Sequence, residues 1–478
     1  MTADQIIALM PLLILAAAAI VVMLGLAVRR SHGFTLAVTV AGMLAAMVAL
    51  GAEPAGGAQV TSLLVIDSFS AFFMKVIISA SLLVALLAHG YWSARAVERE
   101  EFYILLLLAT AGAAALTAAV HFASFFLALE ILSASLYAMI AYDRERPRAV
   151  EAGIKYLVLA GASSAVLLFG VALVYAKAGT LEMAAASGKL AGGGLDPLSV
   201  AGVAMILVGV GFKLALVPFH LWAADVYEGA SAPVAAYVAT VSKGAIFALL
   251  VRLAAAMNIQ ADPQLQAALG TAAIVTMFGG NLLALMQRNL KRMLAYSSIA
   301  HMGYLLVAFL AGGEMALTAV AFYLVAYFIT SLAAFGVMIV LSGSARDADA
   351  LEDYVGLSKA HPVLAVILAA ALLSLAGMPL TAGFVGKFYL LAAGVGSGLW
   401  VLVAALVINS TLSLFYYLRF VAAAYSRAGA SAQAAPPSRG LPSLAGVALA
   451  VLMILLVWLG VYPSPMIQNI QAVMSAWR

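Results

Sequence analysis

The chain contains no cysteine among its 478 residues. Thiolates hold iron–sulfur clusters and many zinc ions, and paired cysteines form disulfides. The sequence therefore excludes these three features within this chain. Charge is also scarce, because Asp, Glu, Lys and Arg make up 9% of the residues whereas 66% are hydrophobic. A water-soluble fold needs more polar surface than that, so the composition predicts a polytopic membrane protein.

The formal net charge is only +4. A balance so close to neutral predicts neither nucleic-acid binding nor a polybasic lipid anchor. The first residues, MTADQ, lack the basic region of a secretory signal, and the apolar run from Ile6 to Val28 is followed by Arg29 and Arg30. We therefore expect this run to be a retained first span.

Long apolar runs fill most of the chain. A helix needs about 20 apolar residues to cross a bilayer. This rule predicts an all-α polytopic membrane protein with about fourteen transmembrane helices, here called spans 1 to 14, at 5–28, 34–52, 68–91, 102–120, 123–142, 150–176, 197–217, 233–257, 264–286, 291–311, 315–342, 362–393 with a break, 399–425 and 441–462. An amphipathic tail, 465–478, is expected to lie along the membrane interface.

The basic residues are distributed unevenly between the two sets of loops. The loops after spans 1, 3, 5, 9, 11 and 13 hold fourteen of the 24 Lys and Arg residues, namely Arg29, Arg30, Arg95, Arg99, Arg144, Arg146, Arg148, Arg288, Lys291, Arg292, Arg346, Lys359, Arg427 and Arg439. The opposite loops hold Lys177 and Lys189, and Arg478 ends the tail. The positive-inside rule then predicts that both termini lie on the periplasmic side of a bacterial inner membrane.

Two spans carry residues that interrupt helices. Pro218 follows span 7, and Gly377, Pro379 and Gly383 lie within span 12. Broken helices at corresponding positions of two inverted repeats indicate the ion path of a transporter. Spans 7 and 12 are five apart, which predicts inverted five-helix repeats formed by spans 4–8 and 9–13. The expected domains are residues 1–95 (spans 1–3), 100–257, 262–427, and 437–478 (span 14 and the tail).

Ionisable side chains inside the spans are the candidate functional residues. Glu130 is the one acid deep within a span, and Lys213, Lys243 and Lys387 lie in spans 7, 8 and 12. Such groups are costly in hydrocarbon and usually functional. The alternatives are a structural ion pair or protonated acid for Glu130, and lysines that extend to the interface. We favour a proton relay for all four.

Other ionisable residues are less decisive. For Lys155, the sequence favours a relay role and an interfacial position equally. For His301, it favours a relay role and a structural hydrogen bond equally. His220, after the Pro218 break, is a weaker candidate for linking Lys213 to solvent. The sequence favours interfacial or structural roles for three further residues, Lys75, Arg252 and Arg419.

The energies involved suit a proton relay. Two unit charges about 4 Å apart interact by roughly 4 kcal/mol at an effective dielectric of 20. Moving one proton against 100 mV costs about 2.3 kcal/mol. A change in the distance between Glu130 and Lys213 would therefore supply enough free energy to move a proton. We expect protons to pass from the cytoplasm near Lys155 or Lys213 through Lys243 and His301 to Lys387.

Four long segments resemble a known family. LALEILSASLYAMIAY, GFKLALVPFHLWAADVYEGASAPVAAYVATVSK, NLKRMLAYSSIAHMGYLL and SLAGMPLTAGFVGKFYLL are similar to the antiporter-like subunits of respiratory complex I, and most similar to the subunit N type. The resemblance covers nearly the whole chain. It implies fourteen helices with inverted repeats, a Glu–Lys pair at Glu130 and Lys213, a central lysine at Lys243 and a terminal one at Lys387. Ala224 and Ser231 replace family prolines in the loop expected after Pro218.

The resemblance also implies partners. NADH oxidation, FMN, iron–sulfur clusters and quinone reduction would belong to other subunits, so this chain is expected to bind no cofactor and no metal. Its expected neighbours are the antiporter-like subunit M and a small K-type subunit, with lipids around them. Subunit M carries glutamate where this chain has Lys387. The alternative is a subunit of an Mrp-like cation/proton antiporter, which has the same fold.

Overall fold

The computed structural model describes residues 2–51, 57–95, 98–191, 197–426 and 443–477. Within these ranges the chain is almost entirely helical. The helices are α1 (Ala3–Val28), α2 (His32–Ala49), α3 (Ser68–Ser93), α4 (Glu101–Ala118), α5 (Phe122–Ile140), α6 (Pro147–Ala178), α7 (Met183–Ala191), α8 (Pro197–Leu214), α9 (Leu221–Gly229), α10 (Ala232–Tyr237), α11 (Lys243–Met257), α12 (Pro263–Leu285), α13 (Leu290–Ala311), α14 (Gly313–Leu341), α15 (Leu357–Ala360), α16 (Pro362–Ala376), α17 (Ala382–Gly396), α18 (Trp400–Tyr425), α19 (Ser443–Val461) and α20 (Ser464–Trp477). The predicted loop residues Arg427 and Arg439, and the terminal Arg478, lie outside the described residues.

Thirteen helices in the described ranges are long and apolar enough to cross a membrane, with 232–257 counted as one helix. The shorter apolar helices α16 and α17 coincide with predicted span 12. These lengths and compositions confirm the polytopic helical membrane class. The exact number of fourteen spans and the two inverted repeats stay predictions.

Two short strands depart from the all-α prediction. β1 (Ala58–Val60) pairs antiparallel with β2 (Leu64–Ile66), in a register that joins Ala58 to Ile66. Each strand has three residues, which is too short to produce a recognisable alternation in the sequence. The hairpin lies between α2 and α3.

The two ends of the bundle differ in composition. At the end where α1 begins, here called the amino-terminal face, Gln5 donates to the carbonyl of Gln59 and Arg252 pairs with Asp67. At the opposite end, here called the basic face, Arg95, Arg146 and Lys291 surround Asp347. A cluster of basic residues at one end agrees with the uneven distribution seen in the sequence.

The centre of the bundle consists of the 232–257 helix, α13 and α14. Their apolar windows are 100%, 94% and 89% buried, whereas those of α1 and α19 are 33% buried. The outer helices therefore present apolar surface to lipid, and the central ones contact protein on all sides. An ionisable group on a central helix has little access to water or headgroups, so Lys243 and His301 must find their partners within the protein.

The break near Pro218 differs from the sequence interpretation. α8 ends at Leu214, and Ala215 adopts a left-handed conformation with φ of 59°. The helix does not continue through the proline because Pro218 has no N–H to bond the carbonyl of Leu214, four residues earlier. The expected loop after Pro218 is largely helical, since α9 begins at Leu221. The prediction of a loop there is wrong.

The second break separates α16 from α17. α16 ends at Ala376 and is capped by Gly377, whose φ of 87° is left-handed and favours glycine. A Cβ atom at Gly377 would lie 2.8 Å from Cδ of Lys387. Glycine is therefore required here both for the turn and for the close approach of the lysine stem.

The C-terminal helix α20 folds back on the bundle. Ile467, Ile470 and Met474 are buried, and the ring of Trp477 stacks on Phe69 at 4.4 Å. Ser68 also donates to the carbonyl of Val473 at 3.0 Å. The predicted amphipathic tail thus lies against protein along one side.

Candidate functional site

Glu130 and Lys213 form the first part of the site. Glu130 is half-buried on α5 and accepts a hydrogen bond from Ser164 at 2.6 Å. Lys213, 4% exposed near the end of α8, donates to Ser133 at 2.7 Å. Ser133 lies one turn from Glu130 on α5. Among the described residues the two charges make no direct ion pair, so each is held by a serine of its own.

Lys243 is the central buried lysine. It is 1% exposed and begins α11 directly after a π-helical turn, Val238–Ser242. Single π-helical turns often occur at functional sites. The Lys243 ammonium donates to Ser298 of α13 at 2.7 Å and lies 5.9 Å from the centre of the Tyr227 ring. Tyr227 also contacts Ser298, with 3.3 Å between the hydroxyl oxygens.

His301 lies one turn beyond Ser298 on α13. Its Nδ1 is 2.6 Å from the hydroxyl of Tyr323, and its Nε2 is 3.2 Å from that of Tyr417. Both ring nitrogens therefore have phenol partners that can donate or accept a proton. Tyr417 also hydrogen-bonds Ser297.

Lys387 bridges the second helix break. Its ammonium donates to the carbonyl of Ala376, the last residue of α16, and to Ser410 of α18, both at 2.8 Å. The carbonyl groups at the end of a helix lack intrahelical partners and favour a cation. Lys387 also lies 5.1 Å from the centre of the Tyr304 ring, and that ring is 5.4 Å from His301. Lys387 and His301 thus share an aromatic neighbour.

Helix α9 occupies the space between Lys213 and Lys243. Lys213 lies 5.6 Å from the Tyr156 ring, which packs against Trp222 at 4.9 Å. Trp222 donates to the carbonyl of Phe212 at 2.9 Å, and Tyr227 follows on the same helix. The segment expected to be a loop therefore provides the aromatic residues that separate the two lysines.

A buried amide network lies beside this cluster and was missed in the sequence. Asn281 of α12 donates to Tyr304 at 2.9 Å and to Asn409 of α18 at 3.1 Å, and it accepts from Tyr416 at 2.9 Å. Asn281 and Asn409 are both 0% exposed. The sequence feature that could have indicated this network is an asparagine within each of the two apolar segments GGNLL and VINST.

A small charged cavity of about 200 Å³ opens at the basic face. Lys155 pairs there with Glu151 at 2.8 Å and with Asp225 of α9 at 3.0 Å. Arg292 binds Asp225 and Glu228. Lys155 is well exposed and ion-paired, so it belongs to the surface cavity and not to the buried part of the site.

A larger cavity of about 550 Å³ opens at the amino-terminal face. Its polar lining includes Gln59, Glu182 and Arg252, and its apolar lining includes Phe309 and Val320. Val320 precedes Tyr323 by one turn of α14. The ring of Phe309 packs edge-on against Phe247 at 6.2 Å, and Phe247 lies one turn beyond Lys243. Phe309 and Val320 thus link the cavity wall to residues one turn from Lys243 and to Tyr323, the hydrogen-bond partner of His301.

A buried ionic cluster lies at the basic face. Asp347 is 1% exposed and accepts hydrogen bonds from Arg95 at 2.8 Å, Tyr91 at 2.6 Å and Lys291. Burial alone would raise the pKa of Asp347, but the nearby charges of Lys291 and Arg95 lower it to about 2. The sequence analysis counted Lys291 with the loop after span 9; the structure places it in the first turn of α13, and its side chain is 0% exposed.

Of the four weaker candidates, Arg252 and Arg419 occupy structural positions. Arg252 forms a bidentate ion pair with Asp67. Arg419 donates to the carbonyls of Leu285 and Gln287 at the end of α12. His220 is half-buried at the start of α9, and its Nδ1 has no hydrogen-bond partner among the described residues. A link from His220 to Lys213 stays a prediction. Lys75 lies on a groove between helices.

The fold and the buried lysines together define an antiporter-like membrane protein. Residues 119–413 match the family described as NADH:quinone oxidoreductase/Mrp antiporter, transmembrane. The chain is 47% identical to NADH-quinone oxidoreductase subunit N of Ectopseudomonas mendocina (strain ymp), over 98% of this chain and 96% of that protein. The chain belongs to the subunit N family of NADH-quinone oxidoreductases. This confirms the resemblance seen in the sequence.

Solved structures agree on the fold. A chain of respiratory complex I from Thermus thermophilus with bound aureothin is 32% identical, with a TM-score of 0.82, over 96% of this chain and 99% of that one. A chain of the Mrp complex from Dietzia sp. DQ12-45-1b is 25% identical, with a TM-score of 0.86, over 99% and 97%. The fold alone does not distinguish a complex I subunit from an Mrp complex subunit, but the higher sequence identity favours complex I. No cluster of three or more metal-binding side chains occurs in the described part of the chain.

Proposed function

We propose that this chain carries protons across the membrane as a non-redox subunit of an NADH-quinone oxidoreductase. The observation that supports this most directly is the arrangement of Lys243, His301 and Lys387: Lys243 donates to Ser298, His301 follows Ser298 by one turn of α13, and His301 and Lys387 share the Tyr304 ring as a neighbour. Each member can gain, lose or pass on a proton, or lies in contact with one that can. Buried groups of this kind in a membrane bundle are typical of proton relays.

Uptake is assigned to the basic face. The ion-paired cavity of Lys155 and Asp225 lies beside Tyr156, whose ring faces Lys213. Protons pass from this cavity to Lys213, and then along α9 to Lys243. Because the basic residues are concentrated at one end, the positive-inside rule assigns the basic face to the cytoplasm and the amino-terminal face to the periplasm of a bacterial inner membrane.

Glu130 controls the charge on Lys213. In low dielectric a neutral amine is favoured, while a nearby carboxylate favours the ammonium. Ser164 and Ser133 are the present hydrogen-bond partners of the two groups, so a direct contact between Glu130 and Lys213 requires them to exchange these partners. The energy of such an approach, roughly 4 kcal/mol at an effective dielectric of 20, exceeds the cost of moving one proton against 100 mV, about 2.3 kcal/mol.

Release is assigned to the cavity at the amino-terminal face. His301 and Lys387 are the terminal carriers in this proposal, and Phe309 and Val320 of the cavity wall, with Phe247 packed on Phe309, are assigned as the apolar layer between them and the cavity. All three side chains are apolar. The layer must admit water for a proton to leave, so these side chains act as a gate.

The partners follow from the family. NADH oxidation on FMN and iron–sulfur clusters, and quinone reduction, take place in other subunits, with a subunit M and a small K-type subunit as membrane neighbours. This chain itself binds no cofactor. Residues 100–257 and 262–427 form the two inverted repeats, flanked by 1–95 and 437–478. An Mrp-like antiporter subunit is the second candidate, supported by the TM-score of 0.86.

Two experiments test the proposal. Purification of the intact membrane complex and identification of its subunits distinguishes complex I from an Mrp-type assembly. Lys213→Ala and Lys243→Ala should lower proton pumping in inverted vesicles without loss of the assembled complex, whereas Lys359→Ala at the exposed basic face should not. Full pumping in both buried-lysine variants would refute the relay.

A further inference from the structure

A groove of about 280 Å³ runs along the side of the bundle, apart from the proposed relay. Helices α3, α14, α19 and α20 form its walls. Most of the lining is apolar, with Leu83, Phe328 and Leu455 among its residues, and the polar lining includes Lys75 and Asn469. One open space therefore combines apolar walls with a cation.

Lys75 has no ion pair or hydrogen bond to any other residue in the described ranges. It is exposed on α3, seven residues from Ser68 at the amino-terminal face. At 1.5 Å per residue this places its backbone roughly 10 Å below the end of the helix. α3 has 26 residues and is about 39 Å long, some 9 Å longer than the hydrocarbon layer. The lysine stem can therefore bring its ammonium to the level of the headgroups.

The polar end of the groove lies at the membrane face, and its apolar end lies deeper in the membrane. α20 and Asn469 lie at the amino-terminal face, where α19 ends. Leu83 lies eight residues deeper than Lys75 on α3, roughly 12 Å toward the middle of the membrane. A molecule that fits this gradient has a negatively charged head at the face and an apolar tail directed inward.

We propose that this groove binds one anionic phospholipid, with its phosphate at Lys75 and an acyl chain along α3 and α14. An unpaired ammonium next to apolar surface complements a phosphate that carries a hydrocarbon chain. The unpaired cation favours a lipid phosphate over an apolar helix of a neighbouring subunit, because such a helix would cover the ammonium without providing it with a partner.

The site is tested with the full chain in nanodiscs that contain equal amounts of phosphatidylglycerol and phosphatidylcholine. Native mass spectrometry after release counts the lipids that remain bound. We expect one retained phosphatidylglycerol in the wild type and in Lys75→Arg. Because one lysine near an anionic surface is worth about 1 kcal/mol, Lys75→Gln should retain about fivefold less.

Two controls make the result specific. Lys359→Gln, an exposed lysine at the basic face, should retain the lipid as the wild type does. Val76→Phe keeps Lys75 but fills the groove, and it should also lose the lipid; thermal unfolding shows whether each variant is folded. Equal retention by Lys75→Gln and the wild type would overturn the proposal, and so would a map of the whole complex with another subunit's helix in the groove.

Discussion

Lys387 hydrogen-bonds the carbonyl oxygen of Ala376 at 2.8 Å, across the break between α16 and α17. The lysine therefore stabilises the free end of the helix before the break while it lies on the helix after it. Loss of its proton would leave that carbonyl with a weaker partner. The protonation of Lys387 and the geometry of the break are thus coupled, which suits a carrier whose surroundings must change as a proton passes.

The first prediction concerns this coupling. Lys387→Met keeps the apolar stem but removes the proton carrier and the donor to Ala376. We expect proton pumping in inverted vesicles, measured by quenching of a pH-sensitive dye during NADH oxidation, to fall at least about tenfold, equivalent to about 1.4 kcal/mol in the barrier. Ser410→Ala removes one of the two acceptors and should have a smaller effect. Unchanged pumping in Lys387→Met would remove Lys387 from the relay.

The second prediction concerns the apolar layer below the amino-terminal cavity. Phe309→Ala should open a route for water toward His301, and passive proton flux through the full chain in liposomes should rise on the order of tenfold, as expected for a barrier lowered by about 1.4 kcal/mol. Adding Lys243→Ala should abolish the rise, because the flux depends on the relay.

Phe388→Ala is the matched control for the leak, since that ring is 59% exposed and lies away from the cavity. A leak that persists in the double variant would mean that protons bypass Lys243. No leak in a folded Phe309→Ala protein would move the release route elsewhere.

The third prediction concerns the amide network. Asn281→Leu removes the acceptor of the Tyr416 hydroxyl and the donor to Oδ1 of Asn409 in a buried, apolar environment. We expect the free energy of unfolding of the chain in detergent to fall by about 2 kcal/mol. Thr271→Ala, on the exposed side of the same helix, should change it by less than about 0.5 kcal/mol. Equal stability of the two variants would show that the network adds nothing to folding.

The fourth prediction concerns pH. The pKa of Asp347 is about 2 in the folded chain against an ordinary value of 3.8. A carboxyl group with a lowered pKa stabilises the fold above its unfolded pKa, and this contribution is lost as the pH falls toward the folded value. The contribution is worth about 2 kcal/mol. It should therefore disappear between about pH 4 and pH 2.

Asp347→Asn provides the measurement. At pH 7 it leaves Lys291 and Arg95 without their carboxylate, so it should destabilise the chain by about 3–5 kcal/mol in a denaturant titration. The difference in unfolding free energy between Asp347→Asn and the wild type should become smaller as the pH falls below 4. Glu352→Gln, an exposed acid in the same loop region, should show no such dependence; a constant difference for Asp347→Asn would contradict the assigned pKa.

The positions of the spans and of the isolated charges follow from the sequence by itself. Apolar runs of bilayer length predict helices because backbone groups in hydrocarbon must bond to each other. Glu130, Lys213, Lys243 and Lys387 are recognisable because few ionisable residues tolerate such runs. Their depth could be predicted, and so could the two helix breaks, since proline and glycine act locally on the backbone.

The partners of those charges were decided only by the tertiary structure. Ser298 is 55 residues from Lys243, and Ser133 is 80 residues from Lys213, so no local pattern connects them. α9 has nine residues and follows a proline, so the sequence alone predicted a loop. Its contacts with α6 and α13 stabilise it as a helix. Lys291 shows the same limit: its position in the sequence is that of a surface lysine, and only packing around Asp347 removes it from water.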